Sequence, residues 1–352
     1  MKWPRAILHL DMDAFFVNVH LLEHPEDIGL PLAVGGRPDS RGVIASASYE
    51  ARKFGVRSAM PSSRAIRLCP QLKIVGRDWS DIKTASKAVM AILGAYGNVE
   101  RMSVDEAFVD LSEAPDPEAL AETIRRRVKA ETRLPASVGL ATSKLVAKVA
   151  SDYDKPEGCT IVSPGQEAAF LAPQPVRVIL GIGPRTAKRL ENQLNIRTCG
   201  ELASHDTDDL VAKFGRHAKS LQRRAMGIDR RAVHAERRHP KSVSQEWTFS
   251  QDVNDPEVLQ EQLRKQSASV ARSLRRRNLV AHTVRVKFRW ANFTTFTRQK
   301  SLEVGIDDEE KIYHVALAIW RENWPPGQRM RLLGVGVSSL EEPVARQFDL
   351  GL

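Results

Sequence analysis

Two short apolar segments, far apart in the sequence, each adjoin closely spaced carboxylates. Residues 6–10 lead into Asp-Met-Asp at positions 11–13, and residues 107–111 follow Asp-Glu at positions 105–106. Such apolar runs are typical of buried strands, and the ends of two strands can converge on one point. Clustered carboxylates repel one another unless hard cations lie between them. The pair of motifs therefore predicts a two-metal site for phosphoryl transfer, with ions about 3.5–4 Å apart. For either motif alone, solvated acids at a turn are an equally good interpretation.

The rest of the first half alternates short apolar runs with helical patterns, which predicts a layered α/β domain. Residues 137–141 are a third candidate strand, and Leu120, Ile124 and Val128 predict an amphipathic helix after Pro117. From about residue 166 to residue 231 the pattern is purely helical and short, which indicates a separate subdomain. A basic, polar stretch at 230–241 then predicts a linker.

The C-terminal third predicts the order strand, helix, two strands, helix, strand. Arg285, Lys287 and Arg289 alternate with apolar residues, so a strand here carries three cations on one face. The formal net charge of the chain is +10, and residues 264–300 contain no Asp or Glu. A polyanionic partner follows from this charge. An acidic membrane surface would also satisfy it, but the clustering of the cations favours an extended nucleic-acid face.

Length and composition exclude several classes of protein. The chain has 352 residues, enough for several domains, and no uninterrupted apolar run is long enough to cross a bilayer. Cys69, Cys159 and Cys199 lie far apart, which argues against a thiolate metal site and a disulfide framework. We therefore expect a cytoplasmic protein that neither spans a membrane nor is secreted.

Three strings together resemble the signature set of the Y family of DNA polymerases. They are Leu-Asp-Met-Asp-Ala-Phe-Phe at 10–16, Ala-Ser-Tyr-Glu-Ala-Arg-Lys-Phe-Gly-Val at 47–56 and Ser-Val-Asp-Glu-Ala at 103–107. Order and spacing match, and the resemblance extends to the last residue. It implies an α/β multidomain, right-hand polymerase with an α+β palm (1–13 and 77–165), small fingers (14–76) and a helical thumb (166–231). A linker (232–242), a C-terminal βαββαβ little finger (243–341) and a tail (342–352) complete it.

The resemblance also implies the catalytic residues. Asp11, Asp105 and Glu106 would hold two Mg²⁺ ions, with Mn²⁺ as a substitute, and the backbone carbonyl of Met12 would reach a metal. Asp13 is left out of this set, on the expectation that it points away from Asp11. The implied function is template-dependent addition of dNTPs to a primer, at low fidelity, in translesion synthesis and without a proofreading exonuclease.

Five further residues match nucleotide contacts of the family. Phe16 matches the steric gate, a ring that leaves no room for a 2′-hydroxyl group, which distinguishes RNA from DNA precursors. Ser46, Tyr49, Arg52 and Lys155 match contacts to the triphosphate. By residue type alone, Phe16 is more often a core aromatic, and Arg52 and Lys155 are ordinary solvated cations.

Other residues are expected to contact DNA. Gly181 and Gly183 lie in a segment that resembles a helix-hairpin-helix element, whose backbone N–H groups approach a phosphate. We expect Lys144 and Lys148 to lie on a helix surface or beside the template. The groove-facing side of the little finger is expected to carry Arg285, Lys287, Arg289, Arg298 and Lys300.

The end of the chain resembles a peptide that binds a bacterial sliding clamp. Gln347, Phe348, Leu350 and Leu352 would anchor in a groove of that partner. The expected partners are therefore primer-template DNA, dNTPs and a sliding clamp, with no membrane, and the chain is expected to be a monomer.

Three alternatives remain at this point. A non-catalytic DNA- or clamp-binding protein would need no carboxylate cluster, because acids facing DNA weaken binding unless metals neutralise them. The Asp-x-Asp strand could also belong to a HAD-type phosphatase. That class needs a small hydroxyl residue where this chain has Phe15 and Phe16. Nucleotidyl cyclases share the acidic strand ends and need no long basic domain.

Overall fold

The computed structural model of the chain describes residues 3–235 and 240–343. Its strands are β1 (Ile7–Met12), β2 (Leu32–Gly35), β3 (Ile44–Ala47), β4 (Lys73–Val75), β5 (Val99–Arg101), β6 (Glu106–Asp110), β7 (Ala136–Ala141), β8 (Cys159–Ile161), β9 (Ser242–Val253), β10 (Val280–Trp290), β11 (Thr295–Ile306) and β12 (Met330–Glu341). Its helices are α1 (Phe15–Glu23), α2 (Tyr49–Lys53), α3 (Ser62–Leu68), α4 (Trp79–Gly94), α5 (Pro117–Thr132), α6 (Lys144–Tyr153), α7 (Glu167–Leu171), α8 (Pro184–Leu194), α9 (Cys199–Ser204), α10 (Thr207–Phe214), α11 (His217–Ala225), α12 (Pro256–Arg275) and α13 (Glu309–Asn323).

The described residues divide into two compact units. The first contains 3–35, 44–60 and 65–235, and the second contains 36–43, 61–64 and 240–343. Two short segments of the predicted fingers thus group with the C-terminal third. No helix within residues 3–235 and 240–343 combines the length and the apolar character that a membrane crossing requires.

The first unit is built around a five-stranded sheet of order β5-β6-β1-β7-β8. β1 pairs antiparallel with both β6 and β7, so the end of β1 lies at the centre of one edge of the sheet. Leu8 and Leu10 share a core with apolar residues of α4 and α5, while Ile7 packs against α6. Successive residues of β1 therefore face different helices, as strand geometry requires.

The helices that follow the sheet do not form an independent core. Leu190 of α8, Leu202 of α9 and Leu221 of α11 belong to the same apolar cluster as Val146 of α6. The elements α7 to α11 are helical, and their core is continuous with one side of the five-stranded sheet. A smaller sheet of order β3-β2-β4 lies between β1 and α4 in the sequence.

The second unit contains a four-stranded antiparallel sheet of order β11-β10-β12-β9. Its elements follow the predicted order strand, helix, two strands, helix, strand. Leu263 and Val270 of α12 and Ile312 of α13 pack on Val286 and Phe288 of β10 in one apolar core. Both helices cover the same face of the sheet, which leaves the opposite face open to solvent. The α/β multidomain fold class is confirmed.

Candidate active site

The three predicted catalytic carboxylates lie at the adjoining ends of two neighbouring strands, at one edge of the five-stranded sheet. Asp11 of β1 is the direct cross-strand partner of Glu106, the first residue of β6. The Met12 N–H donates to the carbonyl oxygen of Asp105 at 3.0 Å, which holds the end of β1 against the start of β6. Asp11 and Glu106 are far apart in the sequence, yet the pairing of β1 with β6 brings their carboxylates to one edge of the sheet.

The turn before β6 is shaped by Ser103. Its Oγ accepts hydrogen bonds from the backbone N–H groups of Asp105 at 3.2 Å and Glu106 at 3.1 Å. Its hydroxyl donates to the Asp105 carboxylate. A serine that satisfies two turn N–H groups fixes the backbone from which both acids project.

Lysines from α6 and the loop after it neutralise two of the carboxylates. Lys155 Nζ lies 2.5 Å from Asp11 Oδ1, and Lys148 Nζ donates to Glu106. Burial raises the pKa of Asp11 to about 6, with the Lys155 ammonium acting against it. The neighbouring His9 and the Lys148 ammonium lower the pKa of Glu106 to about 2, against its burial. The two ammonium groups thus offset the repulsion between the clustered carboxylates.

His9 is a site residue that the sequence reasoning missed. It is fully buried, its Nδ1 lies 2.8 Å from Ser151 Oγ, and its Nε2 lies 3.5 Å from Glu106 Oε2. Burial lowers the pKa of His9 to about 4, so the ring is neutral at pH 7. The signal was available, because residues two apart on a strand share a face and His9 precedes Asp11 by two.

Beside the carboxylates lies a cavity of about 140 Å³. The Arg52 guanidinium lies over the Tyr49 ring, 4.5 Å from its centroid. Arg52 Nε donates to the Ala47 carbonyl at 3.0 Å. Burial, and then the Asp13 carboxylate, raise the pKa of Tyr49 to about 12, so its hydroxyl stays protonated and can donate. The predicted residues that line this cavity are Asp11, Met12, Phe16, Ser46, Tyr49, Arg52, Asp105 and Lys155.

Asp13 does not line this cavity, although strand alternation would place it on the same face as Asp11. The chain leaves the strand after Met12 and turns through Ala14, whose φ is 42° in the left-handed region. The buried Asp13 carboxylate accepts hydrogen bonds from Ser137 Oγ at 3.0 Å, the Glu157 N–H at 2.8 Å and Tyr49 Oη at 3.2 Å. It connects β7, the loop after α6 and α2, and its bond to Tyr49 orients a cavity residue.

The expectation that Lys144 lies on an exposed helix surface is wrong. Its side chain is 4% exposed, and its Nζ donates to both Glu100 carboxylate oxygens at 2.6 Å. Glu100 also accepts the His234 N–H at 2.8 Å. The pair thus fastens the chain after α11 to β5 and α6. Lys148, through its bond to Glu106, belongs to the catalytic cluster.

In the second unit, the predicted cations do not share one face. Directly opposed residues of an antiparallel pair project to the same side of a sheet. Arg298 opposes the buried Val286, and Lys300 opposes the buried Val284. Both therefore project to the helix-covered side, at the exposed edge strand β11. The prediction of one common groove-facing side is wrong for these two residues, because the register of β11 was not readable from its own sequence.

Arg285, Lys287 and Arg289 do form a row on the open face. Gly336 and Gly334 of β12 lie directly beside Arg285 and Lys287. A Cβ atom at Gly336 would lie 3.2 Å from the Arg285 Cγ, so the glycine leaves space for the aliphatic part of the Arg285 side chain. Lys287 Nζ also donates to both Glu246 carboxylate oxygens at 2.8 Å.

The segment predicted to form a helix-hairpin-helix element has a glycine turn immediately before α8. Gly181 has φ +103°, which favours glycine, and Gly183 is the N-cap of α8. No side chain caps this helix, and the space around Gly183 is open. An uncapped helix N-terminus of this kind is suited to a phosphate.

The donor set at the strand ends fits a hard divalent cation. Asp11, Asp105 and Glu106 provide carboxylate oxygens, which Mg²⁺ prefers, and two ammonium groups already compensate them. Within residues 3–235 and 240–343, no three His, Cys, Asp or Glu side chains converge as a ready-made metal site. In this arrangement Asp11 contacts Lys155 and Glu106 contacts Lys148.

Comparison with known proteins identifies the class. The model of the impB/mucB/samB family matches residues 10–152, and that of its C-terminal domain matches residues 240–350. DNA polymerase IV of Methanoculleus marisnigri is 41% identical over 98% of this chain and 97% of its own. DNA polymerase IV of Halorhodospira halophila is 39% identical over 99% of both chains. A Y-family DNA polymerase chimera of Dbh and Dpo4 has the same fold, with a TM-score of 0.84 at 24% identity over 96% of this chain and 100% of its own.

The chain belongs to the impB/mucB/samB family, and its fold is that of a Y-family DNA polymerase. It is a DNA-directed DNA polymerase of the translesion type. The predicted family, enzyme class and function are thereby confirmed. The predicted clamp-binding residues Gln347, Phe348, Leu350 and Leu352 lie outside the described residues.

Proposed function

We propose that the strand-end site transfers a deoxynucleotide from a dNTP to the primer 3′-hydroxyl group with the help of two divalent ions. The observation that carries this proposal is the direct pairing of Asp11 with Glu106 beside the cavity of Tyr49, Arg52 and Lys155. Carboxylates and cationic groups line the same site. Such a site suits a metal-bound triphosphate, whose own negative charge needs both kinds of partner.

Asp11, Asp105 and Glu106 would hold the two ions, and the Met12 carbonyl would reach one of them. When bound, two Mg²⁺ ions, or Mn²⁺ in their place, stabilise the charge that develops on the attacking and leaving oxygens. Release of Lys155 from Asp11 frees its ammonium group for the triphosphate. A bond forms between the primer O3′ and the α-phosphorus as the phosphoanhydride bond between the α-phosphorus and the bridging oxygen breaks. Pyrophosphate leaves with the electron pair of that bond, and the hydroxyl proton passes to water.

The cavity residues would position the nucleotide. The Tyr49 hydroxyl and the Arg52 guanidinium donate to phosphate oxygens, and Ser46 adds a hydroxyl group in the same cavity. Phe16, on the first turn of α1, would lie against the sugar as the steric gate. The aromatic ring leaves no volume for a 2′-hydroxyl group, so the site selects dNTPs over ribonucleotides.

The second unit and the α8 turn would hold the duplex. The row of Arg285, Lys287 and Arg289 is suited to phosphates, and it makes contacts that do not depend on base sequence. Arg298 and Lys300, which project to the helix-covered side of the edge strand β11, remain predicted DNA contacts. Gly181 and Gly183 would approach a phosphate with backbone N–H groups at the start of α8.

The predicted domains follow from these roles. Residues 1–13 and 77–165 form the palm, 14–76 the fingers, 166–231 the thumb, 232–242 the linker and 243–341 the little finger. We further propose that the enzyme works as a cytoplasmic monomer of low fidelity, without a proofreading exonuclease. Its tail, 342–352, would bind a sliding clamp.

Primer extension with single dNTPs and Mg²⁺ tests the proposal. The wild type is compared with Asp105→Ala and Glu106→Ala, and with Glu113→Ala, an exposed acid just after β6, as the matched control. We expect templated extension by the wild type and the control and none by the two site variants. DNA binding without extension, under any divalent metal, would instead support a DNA-binding scaffold and contradict the proposed mechanism.

A further inference from the structure

Phe16 lines two cavities. One is the nucleotide cavity of about 140 Å³, and the other is a cavity of about 390 Å³ whose lining includes Phe16, Val34, Val75 and Ile82. A steric gate excludes a 2′-hydroxyl group only while its ring cannot retreat. Because Phe16 also borders the larger cavity, the contacts that fix its ring bear directly on the gate.

Two aromatic rings contact Phe16. Phe15 is buried in the core, and its ring centroid lies 5.9 Å from that of Phe16 with the planes tilted by 50°. The ring of Trp79 lies 5.9 Å from Phe16 at an interplanar angle of 71°, an edge-to-face contact. Phe15 belongs to the same helical turn as Phe16, whereas Trp79 comes from a separate element.

Trp79 is itself held in place at the start of α4. The preceding residue, Asp78, caps the helix by accepting the backbone N–H groups of Ser80 at 2.7 Å and Asp81 at 3.4 Å. The Arg77 guanidinium lies 5.4 Å from the indole centroid. Trp79 is nevertheless 45% exposed, so the core does not require this large side chain at this position.

We propose that Trp79 is a positioning residue for Phe16, which fixes the ring against the nucleotide sugar and thereby sets selectivity between dNTPs and rNTPs. The inference rests on the proposed role of Phe16 as the gate. Trp79 does not touch the nucleotide cavity and acts only through the Phe16 ring. An edge-to-face aromatic contact corresponds to about a 2- to 10-fold equilibrium effect, so its loss should weaken selectivity without abolishing it.

Single-nucleotide insertion opposite one template base tests this. For each variant, kcat/KM is measured with the matching dNTP and rNTP, and the ratio of the two is compared. The variants are Trp79→Ala, Trp79→Leu, Trp79→Phe, Phe16→Ala, and Ile28→Ala as an exposed apolar control. Thermal unfolding of each variant verifies that it is folded, and the two different truncations of Trp79 keep the test available if one of them is not.

We expect Phe16→Ala to lower the dNTP/rNTP ratio by about 100-fold or more, since it removes the gate. Trp79→Ala and Trp79→Leu should lower it by about 5- to 10-fold, chiefly by improving rNTP insertion. Trp79→Phe keeps an aromatic ring and should restore most of the ratio, and Ile28→Ala should not change it. The double variant Phe16→Ala/Trp79→Ala should match Phe16→Ala alone, because Trp79 has no gate left to position.

Two results distinguish the failures. If Phe16→Ala leaves the ratio unchanged, the gate itself is refuted, and the role of Trp79 falls with it. If Phe16→Ala lowers the ratio but the Trp79 truncations do not, the gate stands and the inference is overturned. Additive losses in the double variant would also overturn it, because Trp79 would then act independently of Phe16.

Discussion

At the ends of β1 and β6, charged side chains are partly buried and paired with one another, whereas on β10 they stand in a row on an open face. Asp11 and Lys155 are each 19% exposed and lie 2.5 Å apart. On β10, Arg285 and Lys287 lie beside glycines of β12, and the partner of Lys287 is the exposed Glu246. A buried charge requires a partner because desolvation is costly, while a surface charge does not. The first region therefore depends on individual residues, and the second on the sum of its cations.

The largest expected effect is at the strand ends. Asp11→Asn removes one carboxylate charge with little change in shape, and it should lower kcat/KM for dNTP insertion by about 1,000-fold or more, since metal-assisted stabilisation of the transition state is worth several kcal/mol. Pre-steady-state insertion measures it, and DNA affinity serves as the control, which should not fall. A loss smaller than tenfold would show that Asp11 is not a metal ligand.

The buried pair of Lys144 and Glu100 extends the comparison to stability. Lys144→Met leaves the Glu100 carboxylate without its ammonium partner, so the free energy of unfolding should fall by about 2–3 kcal/mol. Urea denaturation measures it, with the exposed Lys87→Met as the matched control at about 0.5 kcal/mol or less. Lys144→Met/Glu100→Gln should recover part of the loss. Equal effects of the two lysine variants would contradict the burial of Lys144.

On the open face of β10, single substitutions should have smaller effects. Arg285→Ala should weaken duplex DNA binding uniformly across sequences and reduce the slope of log K against log salt by about 0.9, the value for one lost phosphate contact. Fluorescence anisotropy over a KCl series measures both quantities. Lys265→Ala, on the helix-covered side of the same sheet, is the control and should leave the slope unchanged. A sequence-dependent loss at Arg285 would argue against pure phosphate contact.

The smallest expected effect comes from removing an acidic residue from the open face instead of a cation. Glu246 pairs with Lys287 on the open face, so Glu246→Gln should free a cation and remove a negative charge near DNA. We expect duplex affinity to rise by about 2- to 5-fold, as for a surface ion pair worth less than 1 kcal/mol. The same anisotropy series measures it. Unchanged or weaker binding would place this face away from the phosphates.

Local patterns sufficed for much of the architecture. Short apolar runs with adjoining acids predicted β1, β6 and their shared end, and the alternation of β10 predicted its row of cations. The order of elements in the second unit also followed from periodicity and helix signals such as the Asp255 N-cap. These features depend on neighbours in the sequence, where spacing alone determines which side chains share a face.

Contacts between distant segments could not be obtained in this way. The burial of Lys144 depends on Glu100, and the face of Arg298 depends on how β11 pairs with β10. Nothing near Phe16 in the sequence indicates that Trp79 meets its ring.

The amino-acid sequence by itself thus determined the family, the acidic strand ends and the cationic strand, because each is written in residue types at short spacing. The tertiary structure alone decided which lysine neutralises which carboxylate, which cations share a face and which ring contacts Phe16. The physical reason is that these depend on strand register and on packing across tens of residues, where a one-residue shift turns every side chain to the other face.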